Sequence, residues 1–317
     1  MIVTVTLNPA LHVGYETGRV RLGGANQVRS VSYRAGGRGL AVARVLHTFG
    51  HDVVAAGLAG GASGEMIRAE LARAGVATQF TWIGGESRRV VEAAGGPGEA
   101  STMFYEPAPY ITTEELGRLA ADYRALMSEA TAAVLCGSLP AGLPAETYAS
   151  LATYAEEAGV PVVLDAGGTA LWHGVRRRPA LVIPEPGAAD PAELITNGAG
   201  AVAVLAGGTV SAVTAEGRWS ARLDGQQCAA RSEAKESEAK GAEAARAEAA
   251  RAGAAGEAAA REALAAGFVP GIALSWSWPD TLAHAVALAA SSRPAGDVDL
   301  EAYERLLPQV VVTAPGG

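Results

Sequence analysis

Large apolar side chains are missing from forty consecutive residues, Asp224 to Ala263, in a chain that is otherwise ordinary globular material. That absence excludes a conventional core strand or amphipathic helix there, because methyl groups offer little area at roughly 25 cal/mol per Å². Cysteine is nearly absent too: Cys136 and Cys228 lie far apart, with no Cys-x-x-Cys or Cys/His context, which argues against a disulfide framework or a zinc site and for a reducing, cytoplasmic setting. No apolar run reaches the length that spans a bilayer. The opening Met1 to Asn8 reads as a strand entering the fold, with no basic leader or cleavage site, so no targeting segment is expected. Excess positive charge is lacking as well: 25 Lys and Arg stand against 33 Asp and Glu, a net charge of −8, with the basic residues scattered. Neither nucleic acid nor a membrane surface is an expected partner.

What remains is a rhythm of short buried strands and amphipathic helices in a 317-residue chain, a size that suits one large α/β unit with an appendage. Ile2 to Leu7, Val53 to Leu58, Ala132 to Cys136, Val160 to Asp165 and Ala201 to Leu205 read as strands. Gly39 to Phe49, Glu65 to Ala74, Thr112 to Ser128 (opening Thr-Thr-Glu-Glu) and Thr147 to Ala158 read as helices. Their alternation predicts an α/β fold with a mostly parallel sheet covered on both faces. Gly14 to Ala35 and Thr78 to Pro107 break the rhythm with aromatic or alternating strands, including Phe80-Thr-Trp82, and are expected to form one antiparallel lid sheet. The predicted division is residues 1–11, 36–77 and 108–317 as body and 12–35 and 78–107 as lid, with 224–263 inserted in the body. Alanine and one-turn pairs such as Glu236/Lys240 favour helix in that insert. An exposed or frayed helix, a mobile linker and a partner-docking helix all remain open.

Ala35-Gly-Gly-Arg-Gly39 is a glycine turn feeding a helix N-terminus, a geometry that presents backbone N–H groups to an anion. Together with Thr6-Leu-Asn-Pro-Ala10, Gly85-Glu-Ser-Arg-Arg89, Cys136-Gly-Ser-Leu-Pro-Ala-Gly-Leu-Pro144 and Leu164-Asp-Ala-Gly-Gly168, it resembles the PfkB (ribokinase-like) carbohydrate kinases, nearest the 1-phosphofructokinase and tagatose-6-phosphate kinase branch. The resemblance runs from Met1 to about Val182 and again from about Glu262 to Val310. It implies an α/β body with a β lid, a homodimer through that lid, a sugar or sugar phosphate as substrate, and ATP with Mg²⁺ as phosphoryl donor.

Four motifs depart from the pattern the resemblance implies. His12 stands where the family carries a sugar-binding aspartate, and Arg38 and Ala41 replace the lysine and asparagine of Gly-Gly-Lys-Gly-x-Asn. Ile183-Pro-Glu-Pro-Gly-Ala188 loses the lysine, asparagine and glutamate of the magnesium-organising motif, and the helix that should follow is expected to be missing between Asp190 and Gly200. Anchoring on Ala263 to Gly267 puts Glu262 at the catalytic acid and Ala259 and Arg261 at the two glycines of Gly-x-Gly-Asp; a rescue starting at Gly253 to Gly256 uses Glu257 instead.

The candidate substrate-side residues are His12, Gly36, Gly37, Arg38, Arg88 and Arg89; on the nucleotide side they are Glu185, Gly207 and Gly208. Each has a plainer alternative: a locally bonded lid histidine, a backbone hinge, solvated arginines, a strand-joining turn. Glu262 is a candidate base or a solvated helix charge. His47, His51, His173 and His284 lack metal-ligand spacing, and no metal site is expected. The leading expectation is a pseudokinase that binds a metabolite or a protein partner. An active divergent phosphosugar kinase and a lid-dimer scaffold with an empty pocket are the alternatives.

Overall fold

The computed structural model describes residues 1–18, 20–21, 23–94, 101–206, 208–223, 259–293 and 297–315. The chain opens with β1 (Ile2–Thr6), crosses into a small sheet as β2 (Ala10–Glu16) and β3 (Ser30–Gly36), and returns through α1 (Arg38–Thr48), β4 (Val53–Gly60), α2 (Gly61–Arg73) and β5 (Ala77–Ile83). β6 (Arg88–Ala94) and β7 (Thr102–Tyr105) revisit the small sheet. The alternation then runs α3 (Thr113–Met127), β8 (Ala132–Cys136), α4 (Thr147–Glu157), β9 (Val162–Asp165), α5 (Gly168–Val175), β10 (Leu181–Val182), α6 (Pro191–Thr196) and β11 (Ala201–Ala206). After the hairpin strands β12 (Thr209–Thr214) and β13 (Gly217–Leu223) come α7, whose described residues are 259–274, and α8 (Trp278–Ala290). A two-stranded ribbon of β14 (Ser292–Arg293) and β15 (Asp297–Val298), then α9 (Leu300–Leu306) and β16 (Val310–Thr313), complete the chain.

The large sheet has ten strands in the order β16-β13-β12-β11-β10-β9-β8-β1-β4-β5, parallel from β11 to β5 and antiparallel beyond. The interior strand β1 is buried on both faces, which is why Ile-Val-Thr-Val-Thr carries no charge. One face packs on α1, α2, α7 and α8 through Leu40, Val45, Leu71, Leu264, Phe268 and Leu282. The other packs on α3 to α6 through Leu119, Tyr123, Tyr148, Leu171 and Leu194. α3 begins as its sequence signals: Thr112 and Glu115 form a reciprocal capping box, which satisfies two N–H groups the first turn would otherwise strand.

Three expectations are corrected. The small sheet, in the order β3-β2-β6-β7, is mixed rather than antiparallel, because β2 and β6 pair in parallel. A parallel pair needs a long crossover, and the body elements α1 to β5 supply it. Phe80-Thr-Trp82 is no part of the lid: β5 pairs with β4 at the edge of the large sheet, where Phe80 and Ile83 are buried. A helix does follow Ile183-Pro-Glu-Pro186: α6 is only six residues long, yet Asp190 caps it by accepting from Ala192 N–H. The Ala-rich insert is covered only at its end. Ala259 and Ala263 lie on α7 and are buried, so these residues belong to a core helix rather than an exposed one, while residues 224–258 lie outside the described residues.

Candidate functional site

The parallel strands β1, β8, β9 and β10 end together beneath the N-terminus of α1. β1 lies between β4 and β8, so the connections leave it in opposite directions and open a crevice at the strand ends. The turn entering α1 is built for close approach. Gly37 caps the helix at φ 139°, a conformation side chains avoid, and a Cβ there would meet Thr6 Cγ2 at 2.8 Å. No side chain caps α1, whereas the first amides of α2 are occupied by Glu86, which accepts from Ser63 N–H at 2.6 Å and Ala62 N–H at 3.1 Å.

Charged side chains converge below that turn. Asp165, at the end of β9 and 0% exposed, accepts from Arg38 Nη1 at 3.0 Å and from Arg261 Nη2 at 2.5 Å, and Arg261 Nη2 also donates to the Ile183 carbonyl at 2.8 Å. The other arm of Arg38, Nη2, donates to Glu185 at 2.7 Å. Burial works against the Arg38 charge, but Asp165 and Glu185 outweigh it and raise its pKa; Glu185 is lowered chiefly by its bond to Arg38. Glu262 sits beside this group: burial, reinforced by Asp165 and opposed by Arg38, pushes it up to about 7. Cys136 lies beneath it all, its thiol raised by burial and by Asp165.

A second cluster lines the lid seam. Arg88 Nε donates to Asn8 Oδ1 at 3.1 Å, and Asn8 Nδ2 donates to Ser138 Oγ at 3.2 Å. The His12 imidazole lies over Gly36, in the space a Cβ would fill. That cover and the nearby Arg88 lower its pKa, with Glu92 opposing.

The structure therefore brings together Gly36, Gly37, Arg38, His12, Arg88, Glu185 and Glu262 around one crevice. Arg89 is excluded: it points to the opposite face of β6 from Arg88 and is held by Glu106. Arg38 is not a free phosphate ligand but a bridge between two acids. Gly208, at φ 77°, is the turn joining β11 to β12, and Gly207, Glu257 and Gly253 to Gly256 lie outside the described residues. His284 is structural, buried with its Nδ1 2.6 Å from Tyr303 Oη. Sequence reading missed the roles of Asp165, Asn8 and Arg261. An acid ending the all-apolar run Val162-Val-Leu164 is the signal that could have marked Asp165.

A parallel-sheet crevice, a glycine turn at a helix N-terminus and a small covering sheet define a ribokinase-like α/β protein. Residues 11–185, more than half of the chain, match the pfkB family carbohydrate kinase model, and the chain belongs to that family. Among similar solved structures is phosphofructokinase-2 from Escherichia coli in complex with potassium, at 21% identity and TM-score 0.77 over 97% of this chain and 98% of that one. A Staphylococcus aureus protein provisionally described as a phosphofructokinase is 23% identical, with TM-score 0.78 over 100% of both chains. A carbohydrate kinase from Agrobacterium tumefaciens is 16% identical, with TM-score 0.72 over 98% and 99%.

Proposed function

We propose that this PfkB-family chain binds a sugar phosphate at the lid seam and that its phosphoryl transfer is lost or severely weakened. The observation that carries this reading is the Arg261 side chain. Phosphoryl transfer depends on positioned donors around the moving group, and the residue aligned with a cradle glycine instead extends a guanidinium onto Asp165 and the Ile183 carbonyl. Residues 259–262 are already helical, so their carbonyls serve the helix ladder of α7. Losing such a cradle removes on the order of 10² to 10³ in rate per donor.

The family implies ATP and Mg²⁺. Among the described residues no group of three or more His, Cys, Asp or Glu side chains could hold a metal ion. Glu185 rests on Arg38 and Asp190 caps α6, and the two do not join a third acid among the described residues, so in this arrangement they do not form the oxygen-rich shell that magnesium takes. On the sugar-phosphate side, Arg88 has no carboxylate partner among the described residues and keeps guanidinium N–H groups for a phosphate. A lid homodimer belongs to this reading, since Tyr33, Phe104 and Tyr105 are exposed on lid strands.

A second reading, an active divergent phosphosugar kinase, is favoured by Glu262: a carboxylate poised at about 7 beside Asp165 suits a general base at neutral pH. ADP formation from ATP, Mg²⁺ and a panel of hexose phosphates separates the two. The first reading expects none above a protein-free blank. Turnover that disappears in Glu262→Gln establishes the second.

A further inference from the structure

We infer that Glu185 is a built-in competitor for Arg38, an internal carboxylate standing where the phosphate of a ligand binds, so that ligand capture in this crevice proceeds by exchange of one anion for the other. The inference rests on the sugar-phosphate reading above and adds to Arg88 a second guanidinium, Arg38, which becomes available to the phosphate only when Glu185 leaves it. Arg38 divides its guanidinium between two acids of unequal standing. Nη1 goes to Asp165, which is wholly buried and also gripped by Arg261, so that contact is fixed. Nη2 goes to Glu185, whose side chain is 45% exposed.

Glu185 has somewhere to go. It rims a cavity of about 450 Å³ shared with Gly137, Ser138, Gly167 and Thr169. Pro184 and Pro186 flank it and restrict the backbone, so release is a side-chain rotation rather than a loop rearrangement. Its resting position depends on Gly167: a Cβ there would meet Glu185 Oε2 at 2.6 Å. The guanidinium fork donates to carboxylate and phosphate in the same planar geometry, and a phosphate monoester brings more charge to it. An incoming phosphate can therefore take Nη2 while Asp165 continues to hold Nη1.

The test is isothermal titration of the full-length chain with fructose 6-phosphate and, separately, inorganic phosphate at constant ionic strength. Glu185→Gln is expected to bind about fivefold tighter than the parent, the scale of a partly exposed ion pair. Gly167→Ala leaves every charge in place and is expected to tighten binding in the same direction by crowding Glu185 off Arg38. Arg38→Ala loses binding, and Glu193→Gln, an acid on α6 outside the crevice contacts, changes nothing. Unchanged or weaker binding by Glu185→Gln, or equal tightening by Glu193→Gln, overturns the exchange while leaving the ligand reading intact. No binding by any of the proteins overturns the ligand reading and the exchange with it.

Discussion

Replacing Arg261 with alanine tests the charge cluster that dominates the crevice. Asp165 is 0% exposed and accepts from two guanidiniums, at 2.5 and 3.0 Å. Stripping one partner from a buried ion pair costs about 3 to 5 kcal/mol, but Arg38 still neutralises Asp165, so about 2 kcal/mol is the reasonable share. The Ile183 carbonyl loses its donor as well, for about 1 kcal/mol more. At roughly 2.1 cal/mol/K per residue, a chain of this length unfolds with an entropy near 0.7 kcal/mol/K, so about 3 kcal/mol lowers Tm by about 4 °C. Thermal unfolding followed by circular dichroism at neutral pH should show that drop, and it should persist in about 0.5 M NaCl because a buried pair is poorly screened. A fall under about 1 °C, or one abolished by salt, would refute the placement of Arg261 against Asp165.

The remaining predictions concern pH, the lid seam and the glycine turn. Glu262, at about 7 against an ordinary 4.5, holds its proton more tightly when folded; it contributes up to about 3 kcal/mol that is complete below pH 4.5 and lost as pH rises through about 7. His284, lowered to about 4 from 6.5 by burial, contributes stability present above pH 6.5 and lost as pH falls through about 4, so the two slopes oppose each other between pH 4.5 and 6.5. The stability of Glu262→Gln in urea unfolding should therefore rise more steeply with pH up to 6.5 than the parent's and stay level to pH 8; parallel profiles count against the raised carboxyl. Arg88→Ala should weaken fructose 6-phosphate binding about tenfold in a titration, while Arg89→Ala, tied to Glu106 on the other face, changes it little. Equal losses would mean that the lid faces are misassigned. Gly37→Ala should cost about 1 to 3 kcal/mol in denaturant melts, since φ 139° and Thr6 Cγ2 at 2.8 Å both oppose a side chain; a neutral substitution is incompatible with that turn.

Much of the body was legible because its signals are local. Ala132 to Cys136 is a strand with the bounds its apolar run suggests, and the Thr-Thr-Glu-Glu start of α3 is a capping box whose two partners lie within one turn. The lid was legible as a departure from rhythm but not in its pairing, because β2 and β6 meet across a long crossover that no local pattern encodes. Short elements escaped for a related reason: α6 has too few residues for a periodicity, and β10 has two. At the crevice, residue types pointed to the right neighbourhood, but partners did not follow from spacing. Arg38 and Glu185 were read as separate ligand groups, and the structure pairs them with each other. Arg261 was legible only as a lost glycine; that its guanidinium reaches Asp165 depends on α7 packing across the ends of β9 and β10.

Single-turnover phosphoryl transfer is the most direct measurement of the central claim, with the purified chain in excess over ATP, Mg²⁺ present and fructose 6-phosphate or tagatose 6-phosphate as acceptor. Obstruction of the cradle by Arg261 predicts that ATP survives at the protein-free rate. Formation of a sugar bisphosphate well above that rate, abolished by Glu262→Gln, would contradict the account.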